Sequence, residues 1–193
     1  RPEMHTVERP QLGDRSGLIA IDACGVCGTD LHILAGHWPK PLPWPFTLGH
    51  EWAGRLVGKG AGLETDCMGA PLEVGCRVTL PPLSPCGVCA YCRRWPEHAN
   101  KCLNPVYYGR YIPFSKAPHL WGGWAELVYV DLDMFPGTRL FRLPDDMDPM
   151  LGSLSEPLAC CLRALRRAAE AGGFTYGDTV VVQGTGPIGV LMV

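Results

Sequence analysis

The chain has 193 residues, of which 47% are hydrophobic and 19% charged, and its formal net charge is −2. That length suits one complete domain and part of a second, and the charge balance gives no pull toward a nucleic acid or an anionic membrane surface. No apolar run approaches the ~20 residues needed to cross a bilayer, and no signal-peptide pattern opens the chain.

The 24 glycines and 19 prolines point to short strands joined by many turns. Residues 18–21, 52–57, 77–80 and 124–130 read as strands, the last preceded by the turn pair Gly122-Gly123. Pro39, Pro41, Pro43 and Pro45 keep the connection between the first two irregular. The texture changes after about residue 150. Ser155-Glu156-Pro157 marks a helix start, with a capping hydroxyl, an acid and a proline in the first turn. Leu158, Leu162, Leu165 and Ala169 then share one helical face, and Gly172-Gly173 closes the helix. Residues 179–182 are β-branched and suit a parallel strand buried on both sides. The domain boundary is placed at residue 157, with a mainly β domain over 1–157 and the start of an α/β domain over 158–193.

Ten cysteines are too many to ignore, and spacing decides their use. Cys86, Cys89, Cys92 and Cys102 crowd into one short stretch. Two consecutive C-x-x-C steps are rare in disulfide frameworks and common in zinc sites. Four thiolates close a tetrahedral shell and leave no open position, which makes this a structural site. The same reasoning places the chain in a reducing compartment, the cytoplasm.

A second donor set comes from separate glycine-rich turns. Cys27 and His50 suit zinc, with Glu51 or Glu156 as a carboxylate donor. Three protein ligands and an open corner make a catalytic zinc. Thr29 lies two residues from Cys27, where its hydroxyl reaches the open corner, and His32 can carry a proton onward. Asp30 can accept a hydrogen bond from the far nitrogen of His50 and fix its tautomer. A lone cysteine or histidine in a glycine-rich turn is as often structural, so both readings stand at this point.

The last motif is Gly184-Thr185-Gly186-Pro187-Ile188-Gly189. It follows a predicted strand and should open a helix, the context in which such glycines cradle a dinucleotide pyrophosphate. The alternative is a glycine-rich turn without a ligand. The residue that reads the ribose lies ~20 positions further on, past Val193, so the choice between NAD and NADP is not written here. Other residues carry weaker signals. Cys24 reads as a buried bystander beside Cys27, and Cys160 and Cys161 read as helix packing. His5, His37, His98 and His119 lack partners at ligand spacing. Trp38, Trp44 and Trp121 sit in loops, where they either line a cleft or simply pack.

Taken together, Gly25-Val26-Cys27-Gly28-Thr29-Asp30-Leu31-His32, Gly49-His50-Glu51, the cysteine lobe, Gly122-Gly123-Trp124-Ala125-Glu126, Glu156-Pro157-Leu158-Ala159 and the closing glycines resemble the zinc-dependent medium-chain dehydrogenases, in order, along essentially the whole chain. The resemblance implies a GroES-like, partly open β-barrel followed by the start of a Rossmann domain. It implies a catalytic zinc on Cys27 and His50, with Glu156 at the third-ligand place as in sorbitol-, threonine- and glucose-dehydrogenase-like branches, and Glu51 able to enter the shell. The cysteine lobe would hold a structural zinc, and Gly184, Gly186, Pro187, Ile188 and Gly189 would hold NAD or NADP. The implied reaction is oxidation of a small secondary alcohol or polyol, with hydride passing to the nicotinamide and Thr29 and His32 relaying the proton. The full-length protein would be a homo-oligomer, dimer or tetramer.

Four departures from that pattern matter. Nine residues rather than seven separate Cys92 from Cys102, Cys76 stands where an Asp is common, Cys24 is an extra thiol near Cys27 that reads as a bystander or else as a regulatory or alternative ligand, and the nucleotide domain has barely begun at Val193. The expectation is a truncated piece that binds cofactor poorly, with the activity belonging to the complete protein. The rival reading from another class is a zinc-stabilised binding module without catalysis.

Overall fold

The computed structural model describes residues 2–193. The chain runs β1 (Ser16–Cys24), α1 (Gly28–Leu34), β2 (Trp52–Lys59), β3 (Arg77–Thr79), β4 (Leu83–Ser84), α2 (Ala90–Arg94), β5 (Val106–Tyr107), β6 (Leu127–Asp131), β7 (Phe141–Arg142), α3 (Pro149–Ser153), α4 (Ser155–Glu170) and α5 (Pro187–Leu191), with a 3-10 turn at Ala99–Lys101. Five strands form one antiparallel sheet in the order β6-β1-β2-β3-β7, and β4 pairs with β5 alone. The mainly β reading of the first domain therefore holds.

β1 is the spine of the sheet. Leu18 and Ile19 are neighbours on opposite faces and both are fully buried, so loops cover the sheet on both sides. That is why the strand begins as an unbroken apolar run rather than an alternation. Toward its end the register with β2 skips a residue, pairing Ile21 with Gly54 and Ala23 with Ala53. The extra residue, Asp22, makes a bulge that bends the strand into the loop carrying Cys27. Gly54 is required at this crossing, because a Cβ there would lie 2.3 Å from the Ala20 carbonyl oxygen.

Aromatic rings fill the middle of the domain. Trp121 packs edge-on against Tyr108, Tyr129 and Phe135, with ring centres 5.3 to 6.0 Å apart. Its indole N–H donates to the Lys116 carbonyl at 2.7 Å. Of the loop tryptophans, this one packs.

Asp66 ties the far edge of the sheet together. It is 8% exposed. One carboxylate oxygen accepts from the Met68 and Ala70 N–H groups at 2.8 Å each, and the other from Arg142 N–H on β7 at 2.9 Å. Burial alone would raise its pKa, but the backbone donors of Arg142, Ala70, Met68 and Gly69 outweigh it and hold the carboxyl below its ordinary value of 3.8. A carboxyl depressed on folding contributes stability above the unfolded value, and that stability is lost as pH falls through the folded value. Asp66→Ala is expected to cost about 1–3 kcal/mol at neutral pH. Denaturant titrations should show the gap between variant and parent closing as the solution is made acidic below the ordinary carboxylate range.

The structure differs from the sequence expectations at four places. Residues 124–126 do not pair as strand. Gly123 and Trp124 N–H groups instead donate to the carbonyls of Gly49 and Leu48, at 2.8 and 2.9 Å, so β6 begins only at Leu127. Ser155 does not cap α4. Leu154 before it is already helical, because α3 runs straight into α4, and the Ser155 hydroxyl donates back to the Gly152 carbonyl. Residues 179–182 form no strand, and Val181 is 87% exposed. A parallel strand buried on both faces needs neighbours, and none is present among the described residues. Cys161 is buried as expected, whereas Cys160 is exposed and turns its thiol to Glu156.

Candidate metal centres

The first centre is built where β1 ends beside the start of β2. Gly25 N–H donates to the Glu51 carbonyl at 2.7 Å, one step beyond the last strand pair. A Cβ at position 25 would lie 2.5 Å from a Glu51 carboxylate oxygen, so glycine is needed for that side chain to pass. Cys27 then starts α1 as its N-cap. Its sulfur accepts the Thr29 N–H at 3.4 Å, and its own N–H donates to Asp30 at 2.9 Å, a reciprocal capping box.

His50 arrives from the other strand, turned by Gly49 at φ +92°. Three loops pin it. Gly109 comes so close that a Cβ there would sit 2.3 Å from the Gly49 carbonyl, and a Cβ on Gly49 would meet the Trp124 backbone nitrogen at 2.5 Å. The imidazole is 3% exposed and Asp30 is fully buried. Nδ1 faces the second Asp30 oxygen at 3.4 Å, and neither atom has a closer partner among the described residues. That distance is long for a hydrogen bond, but the pairing is the one expected for a ring held by a carboxylate. Burial works to lower the His50 pKa. Hydrogen bonding to Asp30 and Cys27, and the Asp30 charge, overcome it and carry the value to about 9.

One donor atom each from Cys27, His50 and Glu51 lies within 4.8 Å of the other two. Glu156, in the first turn of α4, does not join that cluster. It stands nearby, and burial raises its pKa while His50 lowers it and Glu51 raises it. Its carboxylate accepts from the Cys160 thiol at 3.6 Å. Thr29 is half-buried and His32 is exposed. Three residues apart on α1, they fall on one side of the helix. Cys24 lies beside the centre, but burial pushes its thiol to about 12 and its hydrogen goes to the Gly25 carbonyl. It is not one of the three clustered donors, Cys27, His50 and Glu51.

Sequence reasoning missed Arg110. Its charge acts on both His50 and Glu156, yet an arginine in a Tyr-rich loop carries no spacing signal that would have flagged it.

The second centre is self-contained. Cys86, Cys89, Cys92 and Cys102 bring their sulfurs within 4.8 Å of one another. Cys89 is the N-cap of α2, its sulfur accepting Cys92 N–H at 3.5 Å, while Cys86 N–H donates to the Cys102 sulfur at 3.2 Å. Backbone donors hold the Cys86 and Cys89 thiols below their usual range, while burial and the neighbouring cysteines push Cys92 up to about 12. The nine-residue spacer is taken up by the turn at Ala99–Lys101, which delivers Cys102 to the other three.

The closing glycines make a tight turn into α5. Gly184 has φ +110°, and a Cβ on Gly189 would lie 2.0 Å from the Gly184 carbonyl. A Cβ on Gly184 or Gly186 would meet nothing within 4 Å, so the backbone there is open to a ligand.

The family model described as the alcohol dehydrogenase GroES-like domain matches residues 13–145. The chain is 34% identical over 177 residues to 5-exo-hydroxycamphor dehydrogenase of Pseudomonas putida, covering 91% of this chain and 45% of that protein. An alcohol dehydrogenase from Thermotoga maritima superposes with a TM-score of 0.81 at 29% identity, over 97% of this chain and 49% of that one. A candidate zinc-binding dehydrogenase from Sinorhizobium meliloti 1021, bound to NADP, gives a TM-score of 0.73 at 34% identity, over 95% and 46%. The chain thus spans about half the length of the proteins it matches.

Proposed function

This chain belongs to the family of alcohol dehydrogenase GroES-like domains, and from that premise we propose that it is the zinc-bearing, alcohol-binding part of an oxidoreductase that oxidises a secondary alcohol or polyol with hydride transfer to NAD or NADP. Residues 1–157 are then the catalytic domain and 158–193 the opening of a Rossmann domain. The activity belongs to the complete protein.

The observation that carries this reading is the Asp30 bridge. One buried carboxylate holds the Cys27 backbone with one oxygen and faces His50 Nδ1 with the other. It thereby sets the two donors relative to each other and leaves His50 Nε2 for a metal. Thiolate, imidazole and carboxylate together suit zinc, and Glu51 meets the other two donors more closely than Glu156 does. When bound, zinc acidifies the alcohol hydroxyl, and the nicotinamide accepts the hydride.

The chain's own residues do the rest. Asp30 keeps the His50 proton on Nδ1. The Thr29 hydroxyl would accept the proton leaving the alcohol while releasing its own hydrogen outward, and His32, one helical turn on and exposed, would take up that proton and pass it to water. Gly184, Gly186, Pro187, Ile188 and Gly189 receive the dinucleotide pyrophosphate on open backbone. Cys86, Cys89, Cys92 and Cys102 hold a structural zinc.

Metal analysis of the complete protein should find two zinc ions per chain, with alcohol-dependent reduction of a nicotinamide nucleotide. A single zinc confined to the cysteine lobe, without turnover, would overturn the reading in favour of a zinc-stabilised binding module. Asp30→Asn is expected to weaken zinc at the first centre about 10–100-fold. Competition with a chelator should read that loss while the lobe keeps its ion.

A further inference from the structure

Arg110 is a cation beside the first centre with no acid paired to it among the described residues. Its Nε is buried and has no hydrogen-bond partner there, and no ion pair among those residues includes it. Glu156 feels the Arg110 charge but forms no ion pair with it, and its carboxylate accepts from the Cys160 thiol instead. Aromatic rings hold the guanidinium in place. It stands 4.9 Å from the Tyr107 ring centre and 5.7 Å from that of Trp38. Trp38 is itself fixed by its N–H donating to the Tyr111 hydroxyl at 2.8 Å, and Tyr111 packs on Tyr107 with centres 5.4 Å apart.

Its place in the chain keeps it close to the chemistry. The preceding Gly109 lies against Gly49 and His50, where a Cβ would be 3.1 Å from the His50 Cβ. A fixed positive charge there opposes cation binding at Cys27 and His50. A site for a neutral alcohol gains nothing from such a charge. A site for an alcohol that carries an anion does, because guanidinium forks match carboxylate and phosphate oxygens.

We propose that Arg110, held between Trp38 and Tyr107, receives an anionic group carried by the substrate, so that the alcohol is a sugar acid or a phosphorylated polyol rather than a neutral polyol. This rests on the dehydrogenase reading above and names its substrate class. The shared chemistry is a substrate oxyanion, and the two sources are separated by experiment.

The first test needs no turnover. Zinc-loaded protein is titrated with inorganic phosphate and with acetate while tryptophan fluorescence is followed, using Trp38→Phe to assign the signal. Saturable binding that weakens about 10–100-fold in Arg110→Gln is expected. No binding of either anion, or binding indifferent to the substitution, overturns the proposal. The second test compares kcat/KM of the complete enzyme for a neutral polyol, the matching sugar acid and the matching polyol phosphate. One of the two anions should be preferred at least tenfold, identifying the source, and the ratio to the neutral polyol should fall in Arg110→Gln. Arg110→Lys, which keeps the charge but loses the fork, gives the same readout if the glutamine variant does not fold. Equal losses on neutral and anionic substrates would mean a structural role and sink the idea. Turnover of neutral polyols without anion preference defeats this proposal alone, and anion binding without any alcohol oxidation defeats the dehydrogenase reading instead.

Discussion

Cys27→Ala is expected to leave the complete protein with the cysteine-lobe zinc alone and to lower kcat/KM for its alcohol by about a thousandfold or more, the several kcal/mol that a bound Lewis acid contributes. The fold should survive the change. Cys27 caps α1 through its sulfur, and losing a cap costs about 1 kcal/mol. The Cys27 N–H that engages Asp30 belongs to the backbone and remains. Activity and stability therefore separate cleanly, which is what makes the variant informative. Cys24→Ala is the control. That thiol faces the Gly25 carbonyl and stands outside the donor cluster, so its removal should cost no metal. Atomic absorption, steady-state kinetics and thermal melts on the two variants decide the matter. Full activity in Cys27→Ala would mean that the reaction does not run through this centre.

Much of the centre is legible in the amino-acid sequence because its parts are short and local. Cys27, Thr29, Asp30 and His32 share one turn of chain, and Gly49 announces the sharp entry of His50. What sequence cannot weigh is the third donor. Glu51 and Glu156 are equally acidic on paper. Only the strand pairing that sets Gly25 against Glu51 shows which carboxylate meets the cysteine and histidine. Arg110 is invisible for a similar reason. Its significance lies in lacking a partner, and partners are a property of the folded chain. The strand expected at residues 179–182 fails differently. β-branched composition states what a segment suits, but a buried strand exists only where neighbours pair with it. The Ser155 cap is misplaced because cap chemistry is read locally, and the short α3 directly before it changes what counts as the helix start.

The largest structural effect should come from the cysteine lobe. Neither α2 nor the turn at Ala99–Lys101 buries a single residue, and Val88 and Leu103 are 67% and 60% exposed. Apart from Cys102 little of residues 86–102 is buried, so the lobe is expected to depend on metal binding for its order. The stem is different. Ser84 and Thr138 hydroxyls meet at 3.0 Å in buried surroundings, and a Cβ on Gly137 would lie 1.7 Å from the Pro85 carbonyl oxygen, so the stem stays clamped to the core when the lobe opens. Cys89→Ala is thus expected to unfold the lobe locally and leave the sheet standing. Cleavage within 86–102 by a nonspecific protease should accelerate by about a thousandfold or more. That corresponds to only ~4 kcal/mol of the much larger zinc-binding free energies of small zinc domains. Chelation of the parent protein should reproduce the effect, and added zinc should reverse it there but not in the variant. Cys102→Ala supplies the sharper test, because the long spacer makes it the ligand that spacing supports least, while the structure puts its sulfur with the other three. Protection surviving in that variant would mean the lobe closes on three cysteines. Cleavage matching Cys89→Ala would make the extra two residues of spacer a mere surface excursion.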